Sequence, residues 1–213
     1  MIKVKAFTFN PSFYENTYVL YDDTSECIVV DPGCFFDSEY QEIDSFIQSS
    51  KLKVVKLIDT HCHVDHVLGN AHIKRKYKVP LFIHKFEIEL LIAVKAYSEL
   101  YGFKGYEEST VDGYLQEGDK VEFGESTLDV LFVPGHSPGH IALYHSKENF
   151  VVSGDVLFDG SIGRTDLPGG NYSQLIDSIK MKLLTLNDDV VVYPGHGPST
   201  TIRKERNSNP FLN

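Results

Sequence analysis

The sequence predicts an α/β fold in which two β-sheets pack together with helices on their outer faces. The first observation behind this is order: a β-rich segment followed by helix, strand and helix can be read in each half of the chain, without a literal sequence repeat. Such an order buries its apolar sheet faces by stacking sheet on sheet beneath outer helices. The second is composition. At 213 residues, 42% hydrophobic and 23% charged, the chain can bury a sizeable core and lies far from the signature of disorder. A single domain over 1–213 is expected, made of two similar halves that meet near residue 110.

The elements follow in order. "IKVKAFTF", "TYVLYDD" and "ECIVVDPG" alternate or run apolar and end in turn residues, as strands do. "DSEYQEIDSFIQSS" places Asp37 at a helix cap position, Glu two and five positions on, and Tyr40, Ile43, Phe46 and Ile47 at helical spacing. The strand "KVVKLIDT", a short helix "NAHIKRKY", the strand "VPLFIH" and a longer helical run from about Lys85 to Tyr101 come next. "KVEFGESTLDVLFVPG" and "HIALYHSKENFVVSGDVLF" read as hairpins, and the helix "NYSQLIDSIKMKLLTL" and strand "DVVVYPG" close the pattern. One irregular stretch, 97–117, is rich in Tyr and Gly and reads either as a lid over a pocket or as a connector between the halves.

A formal charge of −10 with no basic run longer than "RKER" argues against nucleic acid as a partner. Apolar stretches are strand-sized and "MIKVKAFTFN" lacks the apolar centre of a secretory signal, so neither membrane nor export is expected. Three cysteines cannot all pair, which fits a reducing, cytoplasmic setting.

Chemistry concentrates in "LIDTHCHVDHVLGN". In an extended segment residues two apart face the same way, so His61 and His63 can address one site while Cys62 points off it. Asp65 and His66 fall where the chain turns into the next helix and can address a second, adjacent site. Two metal sites need further ligands, and His136 in "VPGHSPGH", Asp155 in "VVSGDVLF" and His196 in "VVYPGHGPS" each lie at a strand end beside Gly. A lone His is usually a capped turn or a satisfied core residue. Five of them with two carboxylates need charge compensation, which a pair of divalent metal ions supplies. His140 reads as a neighbour supporting the ligands or as a turn cap, and His72, His84 and His145 as ordinary helix or strand-end residues. Arg164 either pairs with Asp166 to close a loop or binds substrate, and Tyr97, Tyr101, Tyr106 and Tyr114 favour packing over substrate contact.

This set resembles the metallo-β-lactamase superfamily along essentially the whole chain: Asp31 in "VVDPG", then "HCHVDH", His136, Asp155 and His196, in order. The resemblance implies a four-layer αββα sandwich with its site at one edge. It also implies His61, His63 and His136 on a first metal, Asp65, His66 and His196 on a second, Asp155 bridging, and Asp31 as a structural aspartate. Within the superfamily the tokens "PGHSPGH", "SGDVLF", "GSIGRTDLPGG", "LIDSIKMKLL", "VYPGHGPST" and "ERNSNPFL" are similar to short, single-domain glyoxalase II-like proteins, the hydroxyacylglutathione hydrolases. Larger members carry a C-terminal helical domain that holds glutathione, whereas this chain stops 17 residues after His196, so glutathione selectivity is not carried over.

The implied activity is hydrolysis of a small thioester by hydroxide on two divalent cations, zinc in preference to iron or manganese, with the pKa of water lowered from about 15.7 toward ~7. Asp65 would orient or accept the proton of that nucleophile. "GxSxG" is absent, so no serine triad competes. The rival reading is a persulfide dioxygenase-like enzyme with one iron on two His and one carboxylate, which shares a "GRTD" token. A hydrolase of lactones or phosphoesters on the same scaffold, or a metal-binding module without activity, are further alternatives.

Overall fold

The computed structural model describes residues 1–10 and 12–212, and each sheet takes its strands from one half of that length. Strands β1 (Lys3–Phe9), β2 (Glu15–Tyr21), β3 (Glu26–Val30), β4 (Lys53–Ile58), β5 (Leu81–Ile83) and β6 (Gly113–Tyr114) form the first sheet in sequence order. β1, β2 and β3 pair antiparallel, and β3 to β6 pair parallel. The second sheet runs β14 (Thr200–Thr201), β13 (Val191–Pro194), β10 (Phe150–Gly154), β9 (Ile141–His145), β8 (Ser126–Phe132) and β7 (Lys120–Phe123), with only β10 and β13 parallel. A small hairpin joins β11 (Leu157–Phe158) to β12 (Ser161–Ile162).

Strand alternation produces four layers. Along β3, Cys27 and Val29 face one way and Ile28 and Val30 the other. Ile28 and Val30 join Tyr18, Leu20 and Ile58 against Val121, Leu128, Val130, Leu143 and Val152 in the core between the sheets. Cys27 and Val29 meet Ile43 and Ile47 of helix α1 (Asp37–Ser49), Ile73 of α3 (Asn70–Tyr77) and Leu91 and Val94 of α4 (Ile88–Tyr97). Beyond the second sheet, Ala142, Val151 and Val192 pack on Leu175 of α5 (Tyr172–Ser178), Ile179 and Leu183 of the wide π-type turn that continues it, and Ile202 of α6 (Ile202–Ser208). This is the αββα order expected.

The differences are local. Phe36, not Asp37, occupies the cap position of α1; Asp37 lies in the first turn, and Glu39 supplies the cap by accepting the backbone N–H groups of Phe35 and Phe36. Strand β6 and helix α6 were not legible, because two residues show no alternation and "IRKERNS" has one apolar side chain. Residues 97–117 divide between two places. Ser98–Tyr101 is a 3-10 turn at the mouth of a cavity, and the remainder leads through β6 toward the second sheet. No described helix is long and apolar enough to cross a membrane.

Candidate metal centre

The site lies where strands stop. β4 ends at Ile58 and leads into Asp59–His63 and the short helix α2 (Val64–Val67); β8 ends at Phe132 ahead of His136; β10 ends at Gly154 beside Asp155; β13 ends at Pro194 ahead of His196. Residues far apart in sequence thus meet at one edge of the sandwich, and all seven expected ligand side chains converge there.

They converge as two groups. His61, His63 and His136 offer ring nitrogens all within 4.8 Å of one another, and a carboxylate oxygen of Asp65 with ring nitrogens of His66 and His196 does the same. His136 Nε2 is 2.8 Å from His63 Nδ1 and 3.3 Å from His61 Nε2. In the other group His196 Nε2 is 3.3 Å from both His66 Nε2 and Asp65 Oδ2. Asp155 stands between them, with Oδ2 3.5 Å from His136 Nε2 and 3.4 Å from His196 Nε2, and Oδ1 3.5 Å from His66 Nε2. Donors on a tetrahedron with bonds near 2.0 Å lie about 3.3 Å apart, so these separations suit a zinc-like ion in each group.

The far nitrogen of each ring fixes which lone pair points inward. The Nδ1–H of His136 donates to Arg164 O at 2.8 Å and that of His196 to Phe13 O at 3.0 Å. Thr60 Oγ1 gives its proton to Asp31 Oδ2 and so accepts from His61 Nδ1 at 3.1 Å. His66 Nδ1 faces Asp31 Oδ2 at 3.4 Å. Four Nε2 lone pairs are therefore turned into the cluster, where nothing but a cation or a proton satisfies them. His63 enters through Nδ1, and its buried Nε2 has no partner among the described residues. Asp31 also lies within reach of His61 and His66, but its two oxygens are taken by the backbone N–H and hydroxyl of Thr60, each at 2.6 Å.

Charge balance points the same way. Burial pushes the imidazoles of His61 and His136 down, and that of His63 to about 3, so these three stay neutral. Burial alone would lower His66 and His196 too. The carboxylates of Asp155 and Asp65 outweigh it, lifting His66 well above the usual range and His196 to about 10. Burial would raise Asp155 and Asp65, yet the charge on His66 holds both below the ordinary carboxylate range. A buried pair of carboxylates demands positive charge, and without a metal only protons can provide it.

A model of the metallo-β-lactamase superfamily matches residues 11–196. The chain belongs to that superfamily. It is 39% identical to the probable metallo-hydrolase YqgX of Bacillus subtilis, over 93% of this chain and 92% of that protein. It is 35% identical to the hydroxyacylglutathione hydrolase GloC of Haemophilus influenzae, over 95% and 94%. Among solved structures it superposes on the BLEG-1 B3 metallo-β-lactamase with a TM-score of 0.89 at 36% identity, covering 100% of this chain and 99% of that one. A di-iron-bound form of TTHA1623 gives 0.87 at 34% identity, covering 98% and 100%. ETHE1 from Myxococcus xanthus gives 0.78 at 25% identity, covering 98% and 83%.

Around this superfamily centre, several residues position the ligands. His140 is fully buried, stacks on His61 with ring centroids 4.6 Å apart and accepts the backbone N–H of Asp155 at 3.0 Å, so it supports the ligands and caps no turn. Cys62 points into the core, as its alternation requires. Three supporting residues escaped sequence reasoning. Glu15 is buried behind the second group, 3.9 Å from His66 Nδ1, and Asn16 donates to Pro194 O and Gly197 O, which pins the loop carrying His196. Glu87 accepts from Cys62 N–H, Ser137 Oγ–H and Gly139 N–H. The available signal was "ENT" inside an otherwise apolar strand: three consecutive polar residues, all buried.

Gly195 has no room for a side chain. A Cβ there would lie 2.1 Å from Asp155 Oδ1 and 2.8 Å from His66 Cε1. Gly195→Ala is expected to leave the sandwich folded and weaken metal binding by about tenfold or more, because displacing Asp155 disturbs both groups at once; competition with a chromogenic chelator measures it.

A cavity of about 880 Å³ opens on the centre and is lined by His63, Asp65, His136, Asp155 and His196 at its floor. Arg164 also lines it, but its guanidinium pairs with Asp166 through two contacts of 2.7 Å in solvent, so loop closure is the role seen. Tyr97 and Tyr101 wall the cavity, Tyr106 packs on the core and Tyr114 is exposed.

Proposed function

We propose that this chain is a metal-dependent hydrolase that holds two divalent cations on its seven converging side chains and cleaves a small acyl thioester. The observation that carries this is Asp155, which faces a nitrogen of each group and can be shared between two ions. His61, His63 and His136 would hold one ion, and Asp65, His66 and His196 the other. Two bound cations supply Lewis acidity and bring the pKa of water toward ~7.

The chain's own groups do the rest. Asp65 lines the cavity floor and is held ionised, so it is the residue proposed to orient or take the proton of the attacking water. The strand-end loops fix the ligands, and the cavity walls hold the acyl group against the floor. A thiolate leaves readily and needs no acid of its own. Zinc fits the imidazole-rich donor set, with iron or manganese as alternatives. Cys27, Cys34 and Cys62 are free and buried, which supports a cytoplasmic setting.

The name of the GloC relative makes a lactoyl thioester of glutathione the first compound to assay. Freshly purified protein is expected to carry two metal ions per chain, to lose thioester hydrolysis on chelation and to regain it with zinc. Activity unchanged in metal-free protein overturns the reading. The likeness to ETHE1 supports the dioxygenase alternative; one iron per chain with persulfide-dependent oxygen uptake would select it. Nitrocefin belongs in the same panel because of the BLEG-1 likeness.

A further inference from the structure

We infer that the substrate is an uncharged thioester with an apolar acyl arm, and that the cavity disfavours thioesters of glutathione. This rests on the thioester reading above and specifies its substrate. Above the floor, one wall is Phe13, Leu90, Ala93, Tyr97, Leu100 and Tyr101. Phe158, Ile162, Leu167 and Pro168 complete the apolar lining. Ten apolar or aromatic side chains thus surround whatever stands over the metal centre.

Glutathione brings two carboxylates and one ammonium group at neutral pH, and each must be paired or stay in water. The described lining offers a single cation, Arg164, which already gives its Nε–H and one Nη2–H to Asp166 at 2.7 Å, so one part-engaged guanidinium stands against two carboxylates. The remaining charges on the lining are the carboxylates Asp65 and Asp155 and the histidines of the centre itself. A cavity of about 880 Å³ accommodates a ligand of drug size. Apolar walls of this kind recognise methylene groups, and each one buried multiplies affinity by about fourfold.

The test compares two non-hydrolysable thioethers with the same alkyl arm, S-octyl-N-acetylcysteamine and S-octylglutathione, by calorimetry on the zinc-loaded and the metal-free protein. The uncharged compound is expected to bind at least tenfold tighter in both forms, and to weaken about fourfold for each methylene removed. Leu100→Arg, at a position 86% exposed on the cavity mouth, is expected to narrow the preference by adding a cation. Equal or tighter binding of S-octylglutathione overturns the inference, as does a preference that Leu100→Arg leaves untouched. In parallel, lactoyl and octanoyl thioesters of both thiols are assayed for hydrolysis. If none is cleaved while the binding preference holds, the thioester reading fails and the apolar specificity of the cavity stands.

Discussion

Asp155→Ala is expected to lower hydrolysis by at least ~10³-fold and to leave fewer than two metal ions per chain, because Asp155 faces nitrogens of both ligand groups. Removing any one histidine deletes one donor from one group. Removing Asp155 deletes a donor and a negative charge from both, and leaves His66 and His196 with Asp65 as the one carboxylate of the two that lifts their pKa. Asp155→Asn separates the two effects. The amide keeps an oxygen toward His66 or His136 but carries no charge, so partial retention of one ion is expected. Metal analysis after gel filtration, alongside kcat/KM, checks both variants. Full metal content and activity in Asp155→Ala would mean that the two groups act independently and that the shared centre is wrong.

Much of this site was legible because each ligand sits at a strand end in a short segment with its own signature. His61, His63, Asp65 and His66 lie within six residues, and "PGH" precedes a site histidine twice, at His136 and His196. Alternation placed Cys62 off the site, and succession gave the two-sheet sandwich. What stayed hidden is whatever depends on distant pairing. Glu87 reads as one more charge in a helical run, and only its hydrogen bonds to the loops after β4 and β8 show why it is buried. Asp37 looked like the cap of α1 because Asp is a good cap in isolation. Glu39 reaches the free N–H groups instead and also accepts from Asn10 N–H, a contact with the end of β1 that local spacing does not reveal. The apolar walls of the cavity were hidden for the same reason, since their residues come from three separate stretches of chain.

Glu87→Ala is expected to cost about 3 kcal/mol of stability or more, since each buried donor left without a partner costs roughly 1–3 kcal/mol. Three donors depend on it: Cys62 N–H at 2.8 Å, Ser137 Oγ–H at 2.7 Å and Gly139 N–H at 2.6 Å. Two of these flank ligands on separate loops. Cys62 sits between His61 and His63, and Ser137 follows His136, so one carboxylate ties together the backbone of all three residues of the first group. Burial raises the Glu87 pKa, and the three donors oppose that shift, as expected for a carboxylate held by hydrogen bonds without a cation beside it. Metal affinity of the first group should therefore fall together with stability, by roughly 10–100-fold as for other groups that orient ligands without touching the ion. Glu87→Gln keeps an oxygen acceptor and should recover part of both. Urea denaturation and chelator competition on the three proteins separate the roles. A loss of stability without any loss of first-group affinity would reduce Glu87 to a core residue, whereas a parallel loss, partly restored by the amide, identifies it as the clamp that positions the two loops.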